Sequence, residues 1–430
     1  MQAGEDKTGE IPTLNVSANL TLADSFYLEN GDLNISAGTT TINGGTNAFG
    51  MNSGTLTLSG TSETKANHFN FGDNGVANSG AITVNVSDSA KMTATTLANG
   101  FGFGVNARTQ DVVVNVSDNA ALTGRLKVGI GDNDKKYTYS AAATVNISGN
   151  ATVSADYINL YRNATLNVSG EAVVTASADA RLGDMNHLNS ASSATQARVT
   201  FSDSSSFNVN GTNGVMIFNG ATLTFEDNAV LNVNRNIYVG KTYQDVFSSG
   251  HLILKDNVQT YSGANLILLG ADSTVEFYGS KISTKSGQAY NFTNLGASAQ
   301  RAQMAGTMKY IADADGISLI KFDKIVARDA DMNTGYDILL DFTNLVLSEG
   351  ETKQMGIIYS NSSSDLILNY ETYQDELITV VKANEADTYT IYANGKTLYI
   401  DYTSAIPEPA TFAAIFGALA LAFAAYRRRK

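Results

Sequence analysis

The 430-residue chain has no cysteine and no tryptophan, only three prolines and only three histidines. Without cysteine there is no disulfide framework, no thiolate zinc site and no cysteine nucleophile. Cations are also scarce: 28 Lys and Arg stand against 41 Asp and Glu, a formal charge of −13. The last four residues are all cations, which leaves −17 on everything before them. Outside that terminus Lys and Arg are scattered, which argues against nucleic acid, whose phosphates call for clustered positive charge. Few prolines and few helix formers leave Gly, Asn, Ser, Thr, Ala and Val in the majority, an all-β vocabulary rich in turns.

A short phrase recurs. It reads VNVSDSA at Val84–Ala90, VNVSDNA at Val114–Ala120, VNISGNA at Val145–Ala151 and LNVSGEA at Leu166–Ala172. Looser copies start at Leu14, Leu33, Leu56, Val199, Leu223 and Leu252. The mean period is about 26 residues, in the range of solenoids and arrays. Within each phrase apolar and polar residues alternate, as on a strand with one buried face, and Ser, Asp, Gly or Asn then supply a turn. After the turn come three aligned columns. The first holds Ala90, Ala120, Ala151, Ala172 and Ala229; the second Met92, Leu122, Val153, Val174 and Leu231; the third Ala94, Gly124, Ala155, Ala176 and Val233. One coil cannot bury its apolar face, whereas stacked coils bury it continuously. The expected fold is therefore all-β, a parallel β-helix over residues 1–300, preferred to a sandwich or propeller. At ~4.8 Å per coil, nine steps make a rod of about 43 Å. The phrases spell N-x-S at Asn15, Asn85, Asn115, Asn146 and Asn167. The alternation places these residues on the outward face, which explains the triplets without glycosylation.

The repeat fades after Leu269, and tyrosines and acidic residues become denser. Alternating runs such as Tyr336–Leu347 and Tyr389–Tyr402, the latter with Asn394-Gly395 at its centre, predict a compact antiparallel β domain over 305–404 that caps the rod. Chemistry is sparse. Right-handed β-helices often serve as polysaccharide lyases or hydrolases. Those enzymes resemble one another in a paired Asp-Asp and a Gly-His-Gly segment, and neither occurs here. His68 and His187 read as solvated loop residues, and His251 follows Gly250 but precedes Leu252. Asp329, Asp331 and Asn333 imitate the start of a calcium loop, but Thr334 and Leu340 stand where it needs Gly and Glu. Asp313-Ala-Asp315-Gly316 reads as a turn. No enzyme activity, metal or cofactor is expected.

The end of the chain is different. Pro407, Glu408 and Pro409 precede 17 uncharged residues, Ala410–Tyr426, and then Arg427, Arg428, Arg429 and Lys430. As a helix the uncharged run is ~26 Å long, at the short end of a bilayer span, with the cations held on the cytoplasmic side. A Pro-Glu-Pro triplet, one apolar helix and a short Arg-rich end resemble the PEP-CTERM sorting signal over residues 405–430. The resemblance implies an exported protein tethered in the inner membrane, recognised through Pro407–Pro409 by an exosortase-type enzyme, and passed on to the cell surface or an extracellular matrix. That family also carries an N-terminal export signal, and MQAGEDKTGEIPTLNVS contains no apolar stretch of that kind. The expectation is a truncated start or a processed form with an added Met1. The body is similar to autotransporter passengers. The expected function is a non-enzymatic surface or matrix component of adhesin type, with exopolysaccharide or surface glycans as further partners and no nucleic acid. The alternative is a polysaccharide-binding or polysaccharide-degrading β-helix.

Overall fold

The computed structural model describes residues 12–43, 49–72, 80–96, 100–105, 110–130, 141–183, 196–240, 248–260, 264–270, 272–284, 292–295, 305–325, 337–361 and 377–405. These residues form long parallel sheets wound as a β-helix. Each coil runs through a strand of a first sheet, a tight turn, a strand of a second sheet, a corner, and a short strand of a third sheet. Ile82–Val86, Lys91–Ala94 and Gly100–Phe103 make one such coil. The three sheets contain 14, 11 and 15 strands, and the order follows the chain coil by coil except at the end of the third sheet, where Thr397–Thr403 lies between Thr352–Ser360 and Thr388–Asn394.

All ten phrase copies fall on first-sheet strands, and their first residues stack. Leu14 pairs with Leu33 and Leu33 with Leu56, and the column continues through Val84, Val114, Val145, Leu166, Val199, Leu223 and Leu252. A register slip of one residue would turn every apolar side chain outward, so the alternation itself selects this alignment. The predicted second-sheet columns stack in the same way, Met92 on Leu122, Leu122 on Val153 and Val153 on Val174, and all of these residues are buried. Phenylalanines line the interior of the third sheet. The Phe69 and Phe101 rings lie 5.2 Å apart and those of Phe71 and Phe103 5.5 Å apart, both stacked. Such pairs add about 0.5–1.5 kcal/mol each beyond burial.

The turn between the first and second sheets explains the Ser-Asp and Ser-Gly of the phrase. Asp88, Asp118, Asp203, Asp227 and Asp256 sit at φ of 56–62°, in the left-handed region that Asp tolerates and Gly takes without strain. Gly170 occupies the equivalent place at φ 69°. The aspartates earn a second role. The Asp88 carboxylate accepts from the Gly60 amide of the coil before (2.8 Å), Asp118 from Asp88, Asp203 from Gly170 (2.9 Å) and Asp227 from Asp203.

Past residue 305, where the alternating runs predict an antiparallel domain, the structure departs from expectation. Thr274–Tyr278 continues the first sheet within the expected β-helix, and Thr307–Ile311, Asp337–Asp341 and Ile378–Val381 extend it in parallel, with Val275, Met308 and Ile338 buried in the same column and Ile378 half-buried at its end. The third sheet continues through Ile320–Ile325 into Thr352–Ser360. The strands of 305–404 are thus largely parallel and share the solenoid's sheets. The phrase disappears there because the second sheet ends at Ser283–Thr284, and the turn residues go with it. Among the described strands, antiparallel pairing is confined to Thr352–Ser360, Thr388–Asn394 and Thr397–Thr403. The expected hairpin is present, with Asn394 pairing Thr397 and Gly395 at φ 59° in the turn.

Candidate functional site

The outward side of the first sheet carries two columns. Thr55, Thr83, Val113, Thr144 and Thr165 stack in one, and Thr57, Asn85, Asn115, Asn146 and Asn167 in the other. Alternation puts them there. The asparagines then bond along the axis: Nδ2 of Asn115 donates to Oδ1 of Asn85 (2.9 Å), Asn146 to Asn115 (2.9 Å) and Asn167 to Asn146 (3.0 Å). Asn34 bonds Asn15 in the same way at 2.9 Å. The amides of the N-x-S triplets are therefore engaged coil to coil. Together with the turn aspartates they lock the stacking register.

The third sheet offers a different surface. Its strands are mostly three or four residues long, so each coil presents little more than one outward position. In order these are Gly102, Lys127, Asn159, Arg181, Met216 and Tyr238, each paired with the next. Three consecutive coils thus place Lys127, Asn159 and Arg181 side by side. At the preceding corner, Arg125 donates to Asp156 at 2.7 Å, and Arg181 lies 3.5 Å from Asp179. Asp179 is buried and also accepts from the Asn213 amide (3.1 Å) and side chain (2.8 Å). The guanidinium carbons of Arg125 and Arg181 lie 4.6 and 5.1 Å from the centre of the Tyr157 ring. Ring faces attract cations, so Tyr157 holds two like charges near each other. Burial pushes the Lys127 ammonium below its ordinary pKa, Arg125 adds to the effect, and Asp156 opposes it. Asn159 is only 6% exposed, and its Oδ1 is enclosed without a hydrogen-bond partner. This cluster concentrates cations, an aromatic ring and an unsatisfied amide on a strongly acidic chain. Sequence reasoning missed it because its members lie in the third strand, outside the repeated phrase.

The residues singled out by sequence are distributed otherwise. His68 is a correction: it opens the strand His68–Phe71, pairs with Gly100 and is buried rather than solvated in a loop. His251 lies on the outward side of Gly250–Lys255, with Nδ1 2.9 Å from Thr274 Oγ1. Burial depresses its pKa; Glu276 and Asp272 oppose this and Lys309 assists it. Asp313 forms the expected turn, accepting from the Asp315 amide (2.8 Å) and from the Ser280 amide and hydroxyl (3.0 Å each). Burial alone would raise its pKa, but these bonds and the Gly316 amide bring it below the usual carboxylate value. His187, Asp329, Asp331, Asn333, Pro407, Glu408, Pro409, Ala410–Tyr426 and Arg427–Lys430 lie outside the described residues. Among the described residues, no three or more His, Asp or Glu side chains gather as metal ligands, and no helix is long and apolar enough to cross a membrane. No family model, curated protein or solved structure matches the chain.

Proposed function

We propose that the protein is a non-enzymatic, exported component of the cell surface or extracellular matrix, a scaffold of adhesin type. One observation carries the structural half of this reading. Outward amides and carboxylates that a catalytic groove would direct at substrate are bonded from coil to coil, as in the Asn85–Asn115–Asn146–Asn167 ladder. Side chains used in this way stiffen a long polar surface. The export half rests on the resemblance of residues 405–430 to a PEP-CTERM signal. In this reading the helix anchors the chain in the inner membrane, Arg427–Lys430 stay cytoplasmic because moving them through lipid is costly, and the body stands outside. Pro407 and Pro409 keep the segment around Glu408 out of a helix and open to an exosortase-type enzyme.

The experiment replaces Pro407 and Pro409 with Ala in a host that contains an exosortase. The expected product is membrane-inserted and unprocessed, retained in the inner membrane on fractionation, with no C-terminal fragment by mass spectrometry. Replacing Arg427–Lys430 with neutral residues should instead weaken retention and orientation. If the double proline variant still loses its tail and reaches the surface, the segment is a plain anchor. A glycan-binding role is the second reading, favoured by the tyrosines of the terminal hairpin.

A further inference from the structure

The antiparallel strands that end the third sheet carry two rows of outward side chains, running across the strands. Leu398, Ile400 and Tyr402 of the middle strand are buried, so alternation turns Tyr399 and Asp401 outward. Tyr399 pairs with Gly356 on one side and Tyr392 on the other, and Asp401 pairs with Gln354 and Thr390. Gly356 has no side chain, and Leu319 takes the space: a Cβ on Gly356 would come within 3.0 Å of Leu319 Cδ1. One row is therefore Leu319, Tyr399 and Tyr392, apolar and aromatic. The other is Gln354, Asp401 and Thr390, wholly polar.

Hydrogen bonds fix how the rings lie. The Tyr392 hydroxyl donates to Asp401 Oδ1 at 3.2 Å, one strand away, and accepts from Gln354 Nε2, two strands away. Two strand steps are about 10 Å. An upright ring would not bridge that gap, so Tyr392 lies across the sheet with one face toward solvent. The Tyr399 ring is 5.8 Å away and inclined by 21°. Together the rings make a nearly level platform, and both residues are only half-buried. The bonds that orient Tyr392 are made through the hydroxyl at its edge, so a ligand stacked on its face displaces none of them.

Aromatic faces are electron-rich and attract the weakly positive C–H groups of a saturated ring. A pyranose carries such C–H groups on its flat side and hydroxyls around its rim, the same division as the two rows. Rim hydroxyls can donate to the Asp401 carboxylate, a charge-assisted bond. That carboxylate also selects charge, because an acidic sugar would meet a like charge on a chain of net −13. An apolar protein surface would cover the rings but would also bury the carboxylate without a donor. We propose that Leu319, Tyr392 and Tyr399, with Asp401 beside them, bind a neutral β-1,4-linked glycan, a flat ribbon laid across the strands. The proposal deepens the glycan-binding part of the proposed function. Its test reads binding and not sorting, so either can fail alone.

Binding to the full chain is measured by calorimetry with cellohexaose, with chitohexaose, and with cellohexaose oxidised at C6 to the uronic acid. At least one neutral oligosaccharide should bind, and the oxidised one should bind about 10-fold or more weakly than cellohexaose. Tyr399→Ala and Tyr392→Ala should each weaken neutral binding about 10-fold, as expected for loss of a stacked ring. Tyr392→Phe keeps the ring and should retain most of the affinity. Asp401→Asn should bring the oxidised ligand up toward the neutral one. Lys91→Gln, an exposed position on the second sheet, should change nothing. Melting curves establish that each variant is folded. Leu319→Asn, outside the hairpin, covers the case in which the tyrosine variants unfold, and should also weaken binding. No binding of either neutral oligosaccharide, equal binding of the oxidised form to the native chain, or platform variants that behave like Lys91→Gln would each overturn the proposal.

Discussion

At the scale of single residues, the fold separates two kinds of position that look alike in the phrase. Leu122 is buried and stacked between Met92 and Val153. An aspartate there would be an unpaired charge inside the coil, so Leu122→Asp should lower stability by several kcal/mol, on the order of 3–5. Asn115 faces outward, yet it is not indifferent. It donates to Asn85 and accepts from Asn146, and an aspartate keeps only the acceptor. Asn115→Asp should therefore cost about 1–2 kcal/mol, more than a surface change and less than the core one. Denaturant melts of both variants check the order. Equal, small losses would contradict the stacked core. His68 teaches the complementary lesson. A histidine in a polar stretch of sequence is a buried strand residue that opens His68–Phe71 and pairs with Gly100.

At the scale of elements, the tight turn and the terminal hairpin show how local chemistry is reused across the stack. The Ser-Asp of the phrase makes a left-handed turn by itself, but the carboxylate's partner is an amide one coil away. In the hairpin, the buried Asp387 accepts from the Tyr402 hydroxyl (2.6 Å) and from the amides of Asn384 (3.0 Å) and Ala405 (2.8 Å). Burial alone would raise the Asp387 pKa. The Tyr402, Ala405 and Asn384 bonds, with Lys382, bring it below the ordinary carboxylate value. Burial and the same Asp387 bond push Tyr402 up to about 12. The depressed carboxyl stabilises the fold above the usual carboxylate range, and that contribution is lost as pH falls through its lower folded value. The raised phenol stabilises below its usual value near 10, and is lost as pH climbs from there through about 12. Asp387→Asn should weaken the hairpin at neutral pH and flatten both limbs. Amide exchange of Thr397–Thr403, corrected for intrinsic rates, measures this, and unchanged limbs would show that the pair does not pin the hairpin.

For the whole molecule, a stack of coils is close to one-dimensional, and each coil is held mainly by its neighbours. Stability should then vary along the axis. In the first described coil Leu14 is 43% exposed, and Val16, Leu20 and Leu22 are only half-buried, whereas Val114, Leu126 and Val145 in later coils are fully enclosed. Native-state hydrogen exchange should be fastest in Thr13–Leu22 and slowest near Val112–Val168, with intermediate values between them. Uniform protection along the chain would indicate an all-or-none unit instead. The same geometry separates charge from charge. The cations of the third sheet lie on a different wall from the asparagine ladder.

Much of this was written in the sequence. Period-two alternation is a local property, and it determined which face of each phrase is buried, that the phrases stack in register, and that Asp or Gly closes each turn. The expected columns through Met92, Leu122, Val153 and Val174 are the observed ones. The Pro-Glu-Pro segment, too, is purely a feature of sequence. Tertiary structure alone decided the third wall. Its strands are too short to show alternation, and coil lengths vary, so spacing does not reveal that Lys127, Asn159 and Arg181 are neighbours. The continuation of parallel pairing past residue 305 was equally hidden. Without the second sheet the turn chemistry disappears, and a strand that keeps only its inward residues reads the same whether its neighbour runs parallel or antiparallel.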